Sequence, residues 1–152
     1  MERIASFCVD HTVLKRGMYL SRRDGDVLTW DIRMKEPNRG DYLSTGAAHA
    51  LEHLFATCAR NSRWKDSVIY VGPMGCRTGF YLLTRGLTDA QALALAVECY
   101  RFMAGFEGDI PGASARECGN YRDMDLPAAR REAAAMLAVL EGWTAEKMRY
   151  EA

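Results

Sequence analysis

Ala47-Ala48-His49-Ala50-Leu51-Glu52-His53-Leu54-Phe55-Ala56-Thr57-Cys58-Ala59-Arg60-Asn61 reads as one amphipathic helix, and the class of the fold turns on it. Leu51, Leu54, Phe55 and Cys58 give it an apolar flank, with Thr45 near its start. On such a helix His49 and His53 share a face about one turn apart, so both rings can reach a single divalent ion. Glu52 flanks that face, where a carboxylate can carry protons beside a metal without ligating it. The order H-x-x-E-H is a catalytic-metal signature, and it uses two of the three histidines in the chain.

Working outward, residues 26–34 alternate. Leu28, Trp30, Ile32 and Met34 fall on one face and Val27, Thr29, Asp31 and Arg33 on the other, the pattern of a half-buried strand. Residues 4–9 and 16–22 read as shorter strands, and Pro37, Asn38 and Gly40 then break the chain. Beyond the helix, 67–71 and 78–85 read as strands around the turn Gly72-Pro73-Met74-Gly75-Cys76. Thr88-Asp89-Ala90-Gln91 is a capping box opening a helix to about Phe106. A loop follows, residues 116–122 read as a short strand or loop, and Asp125 with Pro127 opens a last helix ending near Gly142. Early strands in succession, without regular strand–helix alternation, predict a single α+β domain over residues 1–152 with a mostly antiparallel sheet.

Composition narrows the function. Half the residues are hydrophobic and the formal net charge is zero, so nothing points to nucleic acid or a membrane surface as partner, and a small substrate is expected. No apolar run reaches the roughly eighteen residues of a membrane span. Met1-Glu2-Arg3-Ile4-Ala5-Ser6-Phe7 lacks a basic start followed by an apolar core, so a cytoplasmic protein is expected. Five cysteines at irregular spacing then read as thiols or metal ligands rather than disulfides.

A catalytic zinc-type centre needs a third ligand. Cys58 falls on the helix face opposite His49, Cys99 sits within an amphipathic helix and Cys8 in an apolar strand; all three read as core thiols. Cys118 is different: polar residues surround it and Gly119 follows, so it reads either as a loop thiol or as a thiolate presented to a metal. Cys76, between Gly75 and Arg77, has the tight electropositive setting that reactive cysteines favour. His11 by default is a surface or hydrogen-bonded residue. Arg33 by default is a solvated strand residue; the alternative is an anchor for a substrate carboxylate.

Several spaced motifs carry a resemblance. Ser6-Phe7 with Val9-Asp10-His11, Asp31-Ile32-Arg33 followed by Pro37-Asn38, His49 through Ala56, Gly72 through Tyr81, and Cys118-Gly119 together resemble the LuxS family, S-ribosylhomocysteine lyase, along nearly the whole chain. The resemblance implies an α+β fold and a homodimer enclosing paired sites at its interface. It implies His49, His53 and Cys118 as ligands of one divalent metal, Fe(II) by expectation with zinc or cobalt able to replace it. Glu52 and Cys76 match the family's acid/base residues, and Ser6, His11 and Arg33 match substrate-binding residues contributed across the interface. The reaction implied is isomerisation of the ribose followed by cleavage of the carbon–sulfur bond, giving homocysteine and the autoinducer-2 precursor. One departure is visible: many members carry an Asp six residues before the catalytic cysteine and a Ser four before it, where this chain has Tyr70 and Gly72.

Two rival readings stand beside this one. A metallopeptidase of the H-x-x-E-H type would take a downstream glutamate, Glu117 or Glu132, as third ligand, and would leave Cys76 without a task. A metal-binding module without catalysis is the other, either a structural site or an inactive dimer; structural zinc sites are usually closed by four protein ligands.

Overall fold

The alternation in residues 26–34 sets the middle of the sheet. In the computed structural model, which describes residues 1–151, β1 (Gly17–Asp24) and β2 (Val27–Arg33) form a hairpin, and β3 (Val68–Pro73) and β4 (Gly79–Arg85) form a second antiparallel pair. β4 lies beside β2, so the order is β1-β2-β4-β3 with every pairing antiparallel. Leu28, Trp30 and Ile32 are buried on one face of β2, and the indole of Trp30 donates to the Thr84 hydroxyl on β4 across 2.9 Å. That bond satisfies the one polar atom of a large buried ring.

Four helices complete the α+β architecture: α1 (Ala5–Cys8), α2 (Thr45–Asn61), α3 (Asp89–Ala104) and α4 (Leu126–Glu141). Each long helix begins where its cap is written. Ser44 accepts from Ala47 N–H and Asp125 from Ala128 N–H, while Thr88 and Gln91 form the reciprocal box read from sequence. α2 packs on β3, and α3 and α4 pack on α2 and on each other. Leu51, Leu54 and Phe55 are fully buried, and Phe55 meets Tyr100 edge-on at 5.3 Å. No helix among the described residues is long and apolar enough to cross a membrane.

Residues 4–9 differ from the expected strand. Residues 5–8 form one short helical turn outside the sheet, and Cys8, expected in the core, is exposed along with Ile4 and Phe7. The run is apolar but has no strand to pair with, so its hydrophobicity marks an outer surface rather than the core. Residues 116–122 take the loop alternative. Short 3-10 turns at Lys65–Ser67 and Ala145–Lys147 were not read from the sequence.

Inside the core the Tyr100 hydroxyl has no hydrogen-bond partner among the described residues. A buried hydroxyl left unpaired costs about 1–3 kcal/mol. Tyr100→Phe is therefore expected to hold or raise stability, by up to about 1 kcal/mol in thermal denaturation; a loss larger than that would show that the hydroxyl is satisfied.

Candidate metal centre and active site

The first turns of α2 carry His49, Glu52 and His53, and the loop before α4 brings Cys118 to them. The His rings sit 4.9 Å apart, and one ligand atom from each of His49, His53 and Cys118 lies within 4.8 Å of the others. Cys118 Sγ is 3.4 Å from His49 Nε2; the edge of a tetrahedron built on ordinary zinc–sulfur and zinc–nitrogen bonds is about 3.5 Å. The two rings are oriented from behind. His49 Nδ1 is 2.9 Å from the Asp123 carbonyl and His53 Nδ1 is 2.8 Å from that of Pro111. A carbonyl accepts, so each Nδ1 carries the proton and each Nε2 keeps its lone pair, that of His49 lying beside Cys118, the outer-shell arrangement of metal-binding histidines. Asn120 N–H donates to Cys118 Sγ at 3.4 Å. The donor set, its spacing and its second shell all fit a divalent cation.

Both glutamates from which a metallopeptidase could take its third ligand are engaged elsewhere. Glu117 accepts from Ser114 at 2.8 Å, and Glu132 pairs with Lys35 at 2.8 Å.

Glu52 and His53 line a cavity of about 450 Å³ with Thr57, Arg60, Tyr70 and Gly112. Ser6, His11, Arg33 and Cys76 line another, of about 360 Å³, with Phe7 and Tyr42. The structure thus brings the three expected ligands together with Glu52, and the three expected substrate residues together with Cys76. No residue lines both cavities.

Cys76 is exposed on a turn closed by Arg77 N–H to the Met74 carbonyl. Arg77 has φ +61°, a left-handed conformation unusual for a residue with a side chain. Reciprocal bonds to Leu43 hold it there: Leu43 N–H donates to the Arg77 carbonyl at 2.9 Å, and Arg77 Nη1 donates to the Leu43 carbonyl at 3.1 Å. The Thr78 hydroxyl lies 3.0 Å from Cys76 Sγ.

Arg33 is not a solvated strand residue. It is 3% exposed, forks onto Asp31 at 3.1 and 2.7 Å, and donates to Thr78 Oγ1 at 2.7 Å. Burial opposes its charge, but Asp31 outweighs that and holds the guanidinium above its ordinary value. Sequence reasoning missed Asp31 and Thr78 as parts of this cluster. The same-face spacing of Asp31 and Arg33 was legible as a potential pair, but the cover that buries it was not. Cys99 is a buried thiol as read, its pKa pushed up by hydrogen bonding to Cys58 and by burial. Cys58 is half-buried beside it.

Tyr70 and Gly72 are one unit. A Cβ on Gly72 would lie 2.3 Å from the Tyr70 hydroxyl and 2.5 Å from its ring, so the ring occupies the space of a residue-72 side chain. Gly79 is tighter: a Cβ there would meet the Ile32 carbonyl oxygen at 2.1 Å, and only glycine lets β4 start this close to β2.

Three side chains that could hold one metal ion, set on an α+β scaffold, match the three-ligand pattern of open, catalytic sites. The sequence profile described as S-ribosylhomocysteinase (LuxS) matches residues 4–147, and the chain belongs to that family. The S-ribosylhomocysteine lyase of Phocaeicola vulgatus is 50% identical across 99% of this chain and 98% of its own. Those of Clostridium acetobutylicum and Porphyromonas gingivalis are 46% and 47% identical, each across 99% of both chains.

The two glycines give a paired prediction. Gly72→Ser should swing out the half-exposed Tyr70 ring at a cost below about 1 kcal/mol. Gly79→Ala strikes backbone and should cost several times more. Thermal denaturation of both variants, with a crystal structure of the first, checks this.

Proposed function

We propose that this chain is an S-ribosylhomocysteine lyase that isomerises the ribose and then cleaves its carbon–sulfur bond. The products are homocysteine and 4,5-dihydroxy-2,3-pentanedione, the precursor of autoinducer-2. The observation that carries the reading is the convergence of His49, His53 and Cys118 beside Glu52, in a chain of this family. His49, His53 and Cys118 would hold one divalent ion, Fe(II) by expectation, with zinc or cobalt suiting the same nitrogen–sulfur donors. When bound, such an ion supplies Lewis-acid polarisation of the sugar carbonyl.

The protein's own groups move the protons. Cys76, near a charged guanidinium and within reach of the Thr78 hydroxyl, takes a proton from the carbon next to the carbonyl and returns it to the neighbouring carbon. Two such transfers carry the carbonyl from C1 to C3. Glu52 serves the sugar oxygens and then takes the C4 proton. The electron pair of that C–H bond forms the C4–C5 double bond, the C5–S bond breaks, and sulfur leaves as homocysteine thiolate. Tautomerisation of the resulting enol gives the dione. Ser6, His11 and Arg33 line the wall around Cys76 and orient the substrate.

The two separate cavities support a homodimer in which the Cys76 cavity of one subunit faces the partner's Glu52 cavity. Phe7 and Tyr42 on the first and Tyr70 on the second are exposed large hydrophobics, the surface such a contact would cover. Two-fold symmetry then makes two equal sites. Residues 1–152 form one catalytic domain, and five free thiols suit the reducing cytoplasm.

Thiol release from S-ribosylhomocysteine, followed with a chromogenic disulfide, tests the activity. Cys118→Ala should lose metal and activity together, whereas Cys76→Ala should retain metal yet release no thiol. A metal-loaded wild-type protein that releases no thiol would sink the assignment. For the shared site, Glu52→Gln and Cys76→Ala chains are each inactive, but unfolded and refolded together they should recover about a quarter of wild-type activity, because half the dimers are mixed and each has one intact site. No recovery, with mixed dimers present, would place both groups in one subunit.

A further inference from the structure

Cys76 stands at the end of a continuous hydrogen-bonded chain that begins beyond α4. The Tyr150 hydroxyl donates to Asp31 Oδ2 at 2.7 Å. Asp31 accepts both prongs of Arg33, Arg33 Nη1 donates to Thr78 Oγ1 at 2.7 Å, and Thr78 Oγ1 is 3.0 Å from Cys76 Sγ. Asp31, Arg33 and Thr78 are 1%, 3% and 2% exposed, so no water substitutes readily for a lost link. The polarity of the chain is fixed. Arg33 has only donors, so the Thr78 oxygen accepts from it; the Thr78 proton has the Met74 sulfur at 4.0 Å and the Cys76 sulfur at 3.0 Å within reach, and a Cys76 thiolate can only accept it.

We propose that Tyr150 is a positioning residue for Cys76, acting through Asp31, Arg33 and Thr78. This rests on the lyase reading, in which Cys76 moves the sugar protons. Tyr150 contributes by sharing Asp31. A carboxylate that also accepts from a phenol gives less of its charge to Arg33, leaving more of the guanidinium's field for Thr78 and Cys76. Burial, together with the charge of Asp31, pushes the Tyr150 phenol far above its usual range, so it stays protonated and donating. The segment is held in place independently of that hydroxyl. Tyr150 stacks on Tyr19 at 5.1 Å, the Met148 carbonyl accepts from Leu20 N–H at 2.9 Å, and the Trp143 indole donates to the Met18 carbonyl at 2.7 Å. The other titratable groups around the cluster are Tyr19 on β1, Tyr81 on β4, Glu151, and His11 in the Cys76 cavity.

The test is Tyr150→Phe in the metal-loaded, full-length protein, since phenylalanine keeps the stack on Tyr19 and removes only the hydroxyl. Thiol release should show kcat reduced roughly threefold to tenfold with KM nearly unchanged. The pH midpoint for alkylation of Cys76 by iodoacetamide, read on the Cys76 peptide by mass spectrometry, should move upward by roughly half a unit to one unit. Metal content should match wild type. A Tyr150→Phe protein with the wild-type kcat and alkylation midpoint overturns the proposal, as does one that only melts earlier while both stay unchanged. If the wild-type protein itself released no thiol, the lyase reading would fail, and the alkylation midpoint would still report whether Tyr150 acts on Cys76.

Discussion

The buried pair of Asp31 and Arg33 is the constraint around which half of this molecule is arranged. Two charges two residues apart on one strand face are placed under cover, where neither is tolerable alone and loss of either partner costs about 3–5 kcal/mol. Every neighbour then has a polar duty. Thr78 must stand where the third guanidinium nitrogen points, which requires β4 to begin against β2 at a residue without a Cβ. Tyr150 must return across the sheet to fill the remaining carboxylate position. The turn that presents Cys76 is thereby fixed from below by an ion pair and from the side by Leu43.

The metal side is built by a different economy. The side chains that could hold an ion are two rings on a helix and a cysteine on a loop, and the fold supplies backbone carbonyls rather than charges to orient the rings. Glu52 is the one acid among the lining residues of its cavity, and Arg60, which also lines it, donates to the Ile69 carbonyl at 2.6 Å. The two halves of the proposed chemistry therefore have distinct supports: a buried ion pair for Cys76, and main-chain dipoles for the ring nitrogens.

Much of this was legible from residue patterns, because the patterns were local. The four strands and three long helices follow from period-2 and period-3.6 spacing and from caps written beside them, with Ser44 opening α2 two residues ahead of the position expected for its start. The grouping of His49, His53 and Cys118 followed from H-x-x-E-H and the family resemblance. The failures share a cause: burial imposed by distant chain. Asp31 and Arg33 sit on what reads as the polar face of β2, and the cover comes from residues more than a hundred positions later. Residues 4–9 failed in the opposite sense, being apolar enough for a core strand but folded as one exposed helical turn, since apolar composition alone does not say whether the covering surface belongs to the same chain.

The two carbonyls behind the histidines have a consequence for the economics of metal capture. The loop that delivers Cys118 is fastened to α2 through the imidazoles themselves, by Asp123 on one ring and Pro111 on the other. Both ring torsions are frozen when the chain folds, so their entropy is not charged to the binding step. Affinity for an ion held there would thus be set in part by residues that never touch it, and a change in the loop that draws Pro111 or Asp123 away would release a ring while leaving His49, His53 and Cys118 intact in the sequence.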